Sequence, residues 1–359
     1  MTGFSVNLAD VQSYANVLDN QQPATAAASH YLGRYATLPP ATADSLFARV
    51  AVHHSEIYNM VAQGVHDTSH ALGGSAQALL RVKSAYQSLD TASAARIDST
   101  VRDVSRSDDH EGVQGSFSNL PDPTKELKTP EVPEEYPDPF QPVRQLYSDI
   151  TGSSTVEYVV TQAIGWNPYD RYAKAVAGDW RAFARAGDAF GAVGNCLFTI
   201  SSNVGSGLVA LGQTWQGNAS DQAYSYFDYL QSCIEDFGVN VGNLKQGYLE
   251  FADSAYSASV GVADLLHTFT DDVVKVIGVF ATGGTPEIAS KIVHLLPEFV
   301  KDFLDKLGLV IATAEILAGL ARNIQASDDI RQAANMVRGD DVYDPAEWAP
   351  YKPPPQLVH

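Results

Sequence analysis

Two histidines are the first residues whose spacing could support chemistry. His66 and His70, in the stretch HDTSH, lie four residues apart. On a helix their rings would share one face and could grip a metal ion. The sequence identifies no third ligand, and Asp67 stands where the His-Glu-x-x-His zinc pattern has glutamate. We favour the interpretation that the pair belongs to a polar helix face, and we expect no metal site.

Other catalytic patterns are also missing from the sequence. It contains no Gly-rich phosphate loop, no nucleophile elbow and no Cys-x-x-Cys pair. Its acidic residues are scattered along the faces of predicted helices. We therefore predict a protein that is not an enzyme and that uses no cofactor.

The charge balance excludes two classes of partner. The 359-residue chain has 42 acidic and 23 basic residues, for a formal net charge of −19, and no basic cluster. This argues against binding to nucleic acid or to anionic membrane surfaces.

The N-terminus has no basic start, apolar core or cleavage site, so no cleaved signal peptide is expected. The most apolar stretch, residues 307–321, carries Glu315 and predicts a buried helix rather than a membrane span.

The chain divides into two helical regions separated by a linker. Apolar spacing predicts a helix over residues 8–37, kinked by Pro23, and a second helix from Leu46 to Leu89; together they form an N-terminal helical hairpin within residues 1–106. Residues 107–145 hold seven of the chain's 18 prolines among acidic residues and turn formers. This composition predicts an extended, mobile linker.

Residues 146–268 contain a second hairpin with a regular apolar repeat. Three series of apolar residues recur every seven positions, which is typical of antiparallel helices that supercoil against each other. The series are Val176, Phe183, Phe190, Leu197, Val204 and Leu211; Ala223, Leu230, Phe237, Leu244, Phe251, Ala258 and Leu265; and Phe227, Ile234, Val241, Tyr248, Ala255 and Val262. The fold class expected is all-α, an elongated antiparallel bundle of two helical hairpins with an additional C-terminal helical segment.

The tip of this second hairpin is the short turn after Leu211. Gly217 supplies the permissive backbone that ends one helix and reverses the chain. Ser220 or Asn218 can cap the next helix. Trp215 is too large for such a turn to bury. Its indole must be covered by the end of the first hairpin or by another chain, unless it folds back on its own tip.

The Trp215-x-Gly217 turn between two heptad helices resembles the WXG (early-secreted-antigen-like) substrates of type VII (ESX) secretion. In that family a Tyr-x-x-x-Asp element at the end of a helical hairpin accompanies the Trp-x-Gly turn. Tyr86 and Asp90 match it at the end of the first hairpin, and Tyr224 with Asp228 matches it less well in position. The order of the motifs is similar to that of the fused PE–PPE-like, EspB-like members.

The resemblance implies a function and a location. The chain is expected to be a secreted, extracellular interaction protein, exported folded and without a cleaved signal peptide, with Trp215, Gly217, Tyr86 and Asp90 as a composite secretion motif. Its partners would be the ATPase or chaperone of the secretion machinery, and self-association stays open. Two alternatives are the targeting module of a type VII toxin, which the lack of a globular domain after the Pro-rich tail (residues 336–359) disfavours, and a membrane-active effector.

The membrane-active alternative depends on the C-terminal helical segment, residues 269–335. Its apolar helices, with Pro286 at a helix start and Pro297 expected to kink or end a helix, predict a cap that packs on the second hairpin. The same apolar residues, 270–320, could instead be released for membrane contact after secretion. We favour the cap.

The two cysteines lie at nearly matching distances on either side of the Trp-x-Gly turn. Cys196 and Cys233 would therefore face each other across an antiparallel hairpin, and a disulfide between them suits a secreted protein. The alternative is a pair of buried thiols that pack as small apolar groups. Bridging requires Cα atoms closer than about 7 Å.

Overall fold

The computed structural model describes residues 4–39, 46–89, 91–101, 115–131, 153–167, 171–172, 178–279 and 285–323. Long helices account for most of these residues, and the two strands are of two residues each. The predicted all-α class is therefore confirmed.

The N-terminal region is helical almost throughout its described residues. Its elements are β1 (Ser5–Val6), α1 (Leu8–Asp19), α2 (Gln22–Tyr35), α3 (Leu46–Gln87) and α4 (Thr91–Asp98). Asn7 caps α1, since its side-chain oxygen accepts a hydrogen bond of 3.0 Å from the Ala9 N–H. The helix predicted over residues 8–37 is broken at Asn20–Gln21, and Pro23 lies in the first turn of α2, where its missing N–H costs no helical bond.

The rest of the described chain carries the longest helices. Its elements are a 3₁₀ turn (Pro123–Glu126), α5 (Ser153–Ile164), α6 (Trp180–Thr214), β2 (Trp215–Gln216), α7 (Asn218–Val279) and α8 (Thr285–Asn323). α7 spans 62 residues and continues past residue 268, where we expected the second hairpin to end. The C-terminal helical segment thus begins inside α7 rather than as a separate element.

Helices α6 and α7 pack against each other in the antiparallel arrangement that the heptads predict. A Cβ on Gly194 would lie 2.6 Å from the Gly238 carbonyl oxygen, so the two backbones approach closely. Nearer the turn, the Ser201 hydroxyl donates to the Gln231 carbonyl at 3.2 Å. Apart from the partly buried Leu265, the heptad residues that the structure describes are buried, as in Phe190 and Phe237, which are fully covered. Burial of each such side chain contributes about 1.5–3 kcal/mol.

The two predicted hairpins share one hydrophobic core. A single cluster of buried side chains runs from α1–α3 into α6 and α7. Polar contacts also cross it: His54 Nδ1 on α3 lies 2.8 Å from the Tyr248 hydroxyl on α7, and the Ser75 hydroxyl lies 2.9 Å from that of Tyr226. The hairpins are therefore packed together rather than merely tethered by the linker.

The described part of the linker, residues 115–131, packs on the helices and corrects our expectation of a mobile segment. The Ser116 N–H donates to the Ser206 carbonyl at 3.0 Å, and the Tyr31 hydroxyl donates to the Lys128 carbonyl. The buried Asn203 amide donates to the Pro121 carbonyl at 2.9 Å. These bonds satisfy backbone groups that a solvated linker would leave to water.

A second, smaller cluster joins α5, α7 and α8. Val262 and Val273 of α7 are buried there with Ile292, Phe299 and other residues of α8. Pro286 lies in the first turn of α8, as expected, whereas Pro297 lies inside this helix and does not end it. In the described part of the chain no helix is long and apolar enough to cross a membrane.

Candidate functional site

The Trp-x-Gly turn joins α6 to α7 in three residues. Trp215 leaves the helical conformation with φ −119° and ψ 117°, and its N–H still donates to the Leu211 carbonyl. Gly217 then takes φ +125°, a conformation that side-chain-bearing residues rarely adopt. A Cβ at Gly217 would also lie 2.5 Å from the Asp98 carboxylate. Glycine is thus favoured here both by the backbone conformation, as the sequence predicts, and by the lack of space for a side chain.

The Trp215 side chain is fully buried and the end of the first hairpin covers it. Its ring centroid lies 6.4 Å from that of Tyr86, with the planes at 81° in an edge-to-face contact. Tyr86 is itself only 8 % exposed and contacts the Phe4 ring at 5.5 Å. Of the three covers that the sequence left open for Trp215, the structure has the one supplied by the end of the first hairpin.

The N-terminus adds a strand to the tip, which the sequence analysis missed. β1 pairs antiparallel with β2, with Val6 opposite Trp215 and Ser5 opposite Gln216. The Asn7 N–H extends the pairing by donating to the Thr214 carbonyl at 3.1 Å. The alternation of apolar Phe4 and Val6 with polar Ser5 is a short sequence signal for this strand, and the structure has Phe4 and Val6 partly buried and Ser5 exposed.

Asp98, at the end of α4, caps helix α7 from outside that helix. Its carboxylate accepts hydrogen bonds from the Asn218 N–H at 3.0 Å and the Ala219 N–H at 2.9 Å. It is 6 % exposed. A carboxylate that accepts the first N–H groups of a helix also interacts favourably with the helix dipole. This residue was missed because it lies about 120 positions from the turn it caps.

Asp98 corrects the cap expected from Asn218 or Ser220. Asn218 is the first residue of α7, and its side-chain amide donates to the Val101 carbonyl at 2.9 Å. The Ser220 hydroxyl donates to the Trp215 carbonyl at 2.6 Å, so it closes the turn instead of capping the helix. Both side chains therefore fix the tip, but in other roles.

Asp90 of the Tyr-x-x-x-Asp element lies outside the described residues. The structure consequently brings together three members of the predicted secretion motif, Trp215, Gly217 and Tyr86, at one end of the helices. Tyr224, of the alternative match with Asp228, is also buried, within the first two turns of α7.

The structure has Cys196 and Cys233 as buried, unbridged cysteines, which is the second of the two arrangements that the sequence left open. The register of the hairpin is consistent with this. Gly194 lies against Gly238 and Gly242, which places residues 236–240 opposite Cys196 and leaves Cys233 three or more residues away along α7. The thiols also have different surroundings: Cys196 faces Asp122 and Glu126, and burial raises its pKa to about 12.

The histidine pair is arranged as a helix face predicts. The His66 and His70 rings lie on the exposed side of α3 with centroids 4.4 Å apart. Among the residues that the structure describes, no group of three or more metal-ligating side chains occurs.

His54 is a buried titratable group at the interface between the first and second hairpins. It is 5 % exposed and its ring is surrounded by those of Tyr58, Phe183 and Phe190. Burial lowers its pKa from 6.5 to about 4, against a smaller raising effect of the hydrogen bond that the ring donates to the Ala36 backbone. The imidazole is thus neutral in the folded protein at physiological pH.

Comparison with known proteins assigns no relative to this chain. No protein-family model, no curated protein and no solved structure matches it. A functional proposal therefore has to rest on the sequence motifs and on the geometry of the tip.

Proposed function

We propose that this chain is a non-enzymatic substrate of a type VII secretion system, exported folded and recognised through the tip at which its two hairpins meet. The observation that carries the proposal is the contact between Trp215 and Tyr86, which belong to the two halves of the composite motif. Two sequence-distant motif residues share one site only when both hairpins are folded and packed. The secretion machinery, through its ATPase or a chaperone, is the proposed partner.

The packing of the tip supports recognition of a folded surface rather than of a linear peptide. The Trp215 indole is buried while β1 is in place, so in this state it shapes the tip without being available for direct contact. Gln216 and Gln87, by contrast, are exposed next to Trp215 and Tyr86 in sequence. In this proposal the buried aromatic pair positions the exposed neighbours that the machinery contacts.

The buried side chains described in α8 support the cap over the membrane-active alternative. The apolar side chains Ile292, Phe299 and Phe303 are buried with α7 in the second cluster. Exposing them would sacrifice a contact worth about 1.5–3 kcal/mol for each buried large side chain. We keep the cap as the proposed role of this helix.

The first experiment is an export assay in a bacterium with an active type VII system. The protein should appear in the culture medium of the wild-type strain, with Met1 or Thr2 as its N-terminus, and only in the lysate of a strain lacking the secretion ATPase. Equal amounts in both media would refute the proposed function.

The motif is tested with two matched aspartate variants. Asp90→Ala should remove the protein from the medium, whereas Asp228→Ala, the same change in the alternative match, should leave export intact. Circular dichroism of both purified variants should show unchanged helix content. If export of Asp90→Ala equals that of Asp228→Ala, Asp90 is not part of the signal.

Trp215→Ala should lower the melting temperature, because it removes about 2–3 kcal/mol of apolar burial.

A further inference from the structure

The turn between α6 and α7 contains two residues of extended backbone, Trp215 and Gln216, which form β2. Extended backbone presents N–H and C=O groups sideways, where another strand can pair with them. β2 uses this property at once, because its edge is paired with β1. The tip is therefore already a strand-binding edge, occupied by the chain's own N-terminus.

The bound strand is short and its inward side chains are only partly covered. β1 has two residues, Phe4 and Val6 are partly buried, and Ser5 is exposed. The Phe4 ring reaches Tyr86, and Val6 lies opposite Trp215. Elements with few buried contacts open at low free-energy cost while the rest of a protein stays folded.

The chain can release β1 without unfolding its first helix. α1 begins at Leu8, and its N-terminus is capped by the side chain of Asn7 rather than by any group of β1. Lifting residues 4–6 therefore leaves α1 and the core contacts of Tyr14 and Leu18 in place.

We propose that the β2 edge is a binding site for an extended peptide segment of another protein, which replaces β1 by strand exchange. Main-chain pairing supplies affinity in this mode, and alternate side chains supply specificity. The segment would carry an aromatic residue and, two positions later, an aliphatic one, because these fill the places of Phe4 and Val6 against Tyr86 and Trp215. This site specifies where the export machinery would bind. The identity of the partner, a component of that machinery, rests on the proposed function.

The test uses the full chain and a fluorescein-labelled peptide of residues 2–10, TGFSVNLAD, as the probe. Fluorescence anisotropy should show tighter binding to the Phe4→Ala chain than to the wild type, by about tenfold, because loss of an aromatic pair contact weakens the chain's own strand. The same peptide with Val6→Asp should not bind, since a carboxylate would lie against the buried Trp215 ring.

A disulfide lock provides the matched control. Ser5 and Gln216 are directly opposite each other and both are exposed, so a Ser5→Cys/Gln216→Cys chain can be oxidised to hold β1 in place. The oxidised chain should not bind the probe, and reduction of the same sample should restore binding.

Two results would overturn the site: equal binding by the oxidised and reduced chains, or binding by Phe4→Ala no tighter than by the wild type. Either can occur while ATPase-dependent export persists, and loss of that export leaves the peptide result unaffected. The two proposals therefore fail separately.

Discussion

Removing the Asp98 carboxylate tests whether the tip is held together by a cap from a distant helix. In the Asp98→Ala chain the N–H groups of Asn218 and Ala219 lose acceptors at 3.0 and 2.9 Å. The site is nearly closed to solvent, because Asp98 is 6 % exposed and Ala219 is 4 % exposed. Water would therefore replace the lost acceptors poorly.

The expected loss follows from the contacts. A hydrogen bond to a charged group contributes about 1.5–3 kcal/mol, and an ordinary helix cap about 1 kcal/mol. Two bonds from one carboxylate share its desolvation, so we expect Asp98→Ala to lower the free energy of unfolding by about 3 kcal/mol. Asp98→Asn keeps an acceptor but loses the charge at the helix N-terminus, and should cost about half as much.

Urea unfolding followed by circular dichroism measures the total effect, and hydrogen exchange measures it locally at the amides of residues 218 and 219. Asp236→Ala is the control, because Asp236 is exposed on the same helix and its loss should change the free energy of unfolding by less than about 0.5 kcal/mol. If Asp98→Ala matches Asp236→Ala in both measurements, the carboxylate does not hold the tip and the reasoning is wrong.

Three further predictions concern the core between the hairpins. Because burial lowers the His54 pKa from 6.5 to about 4, the unfolded chain binds a proton between these pH values that the folded chain does not. His54 should therefore stabilise the fold most above pH 6.5 and contribute a fall of about 3 kcal/mol in the free energy of unfolding towards pH 4. In urea titrations His54→Gln should remove this part of the fall. Gly194→Ala should lower the free energy of unfolding by about 1–3 kcal/mol, since its Cβ meets backbone at 2.6 Å, whereas Gly242→Ala, with open space around it, should raise the value by up to about 1 kcal/mol. Mass spectrometry of unfolded, unreduced protein should find both Cys196 and Cys233 alkylated. In the folded protein both thiols should react slowly because both are buried. If neither cysteine is alkylated in the unfolded, unreduced protein, the two form a disulfide.

The long helices could be predicted from the sequence because their signal is local and repeated. Every residue of the series that includes Phe227 and Tyr248 is buried, as a seven-residue period in an antiparallel hairpin requires. The contact between Trp215 and Tyr86 was also within reach, since both lie at hairpin ends. A large apolar side chain in a short turn needs a cover, and the end of another hairpin is a nearby element that can supply it.

The two cysteines show that the sequence does not predict the exact register of α6 against α7. Equal distance from a turn predicts which stretches of two helices face each other, but a disulfide also requires Cα atoms closer than about 7 Å. The pairing of Ser201 with Gln231 and of Gly194 with Gly238 places residue 236 opposite Cys196, three residues along α7 from Cys233. Close contacts between glycine backbones set this register, and heptad positions alone do not.

The contacts that close the tip were beyond sequence reasoning for a different reason. Asp98 and the N-terminal strand meet the turn across long stretches of chain, and neither carries a local pattern that requires its partner. Their positions follow only when the first hairpin is packed on α6 and α7, which the buried pairs His54–Tyr248 and Ser75–Tyr226 help to fix. The Trp-x-Gly turn thus acquires its shape from the folded core rather than from its own sequence. If the secretion machinery recognises this tip, as we propose, it would select chains whose two hairpins have already assembled, and Asp98→Ala should then weaken export more than Asp236→Ala does.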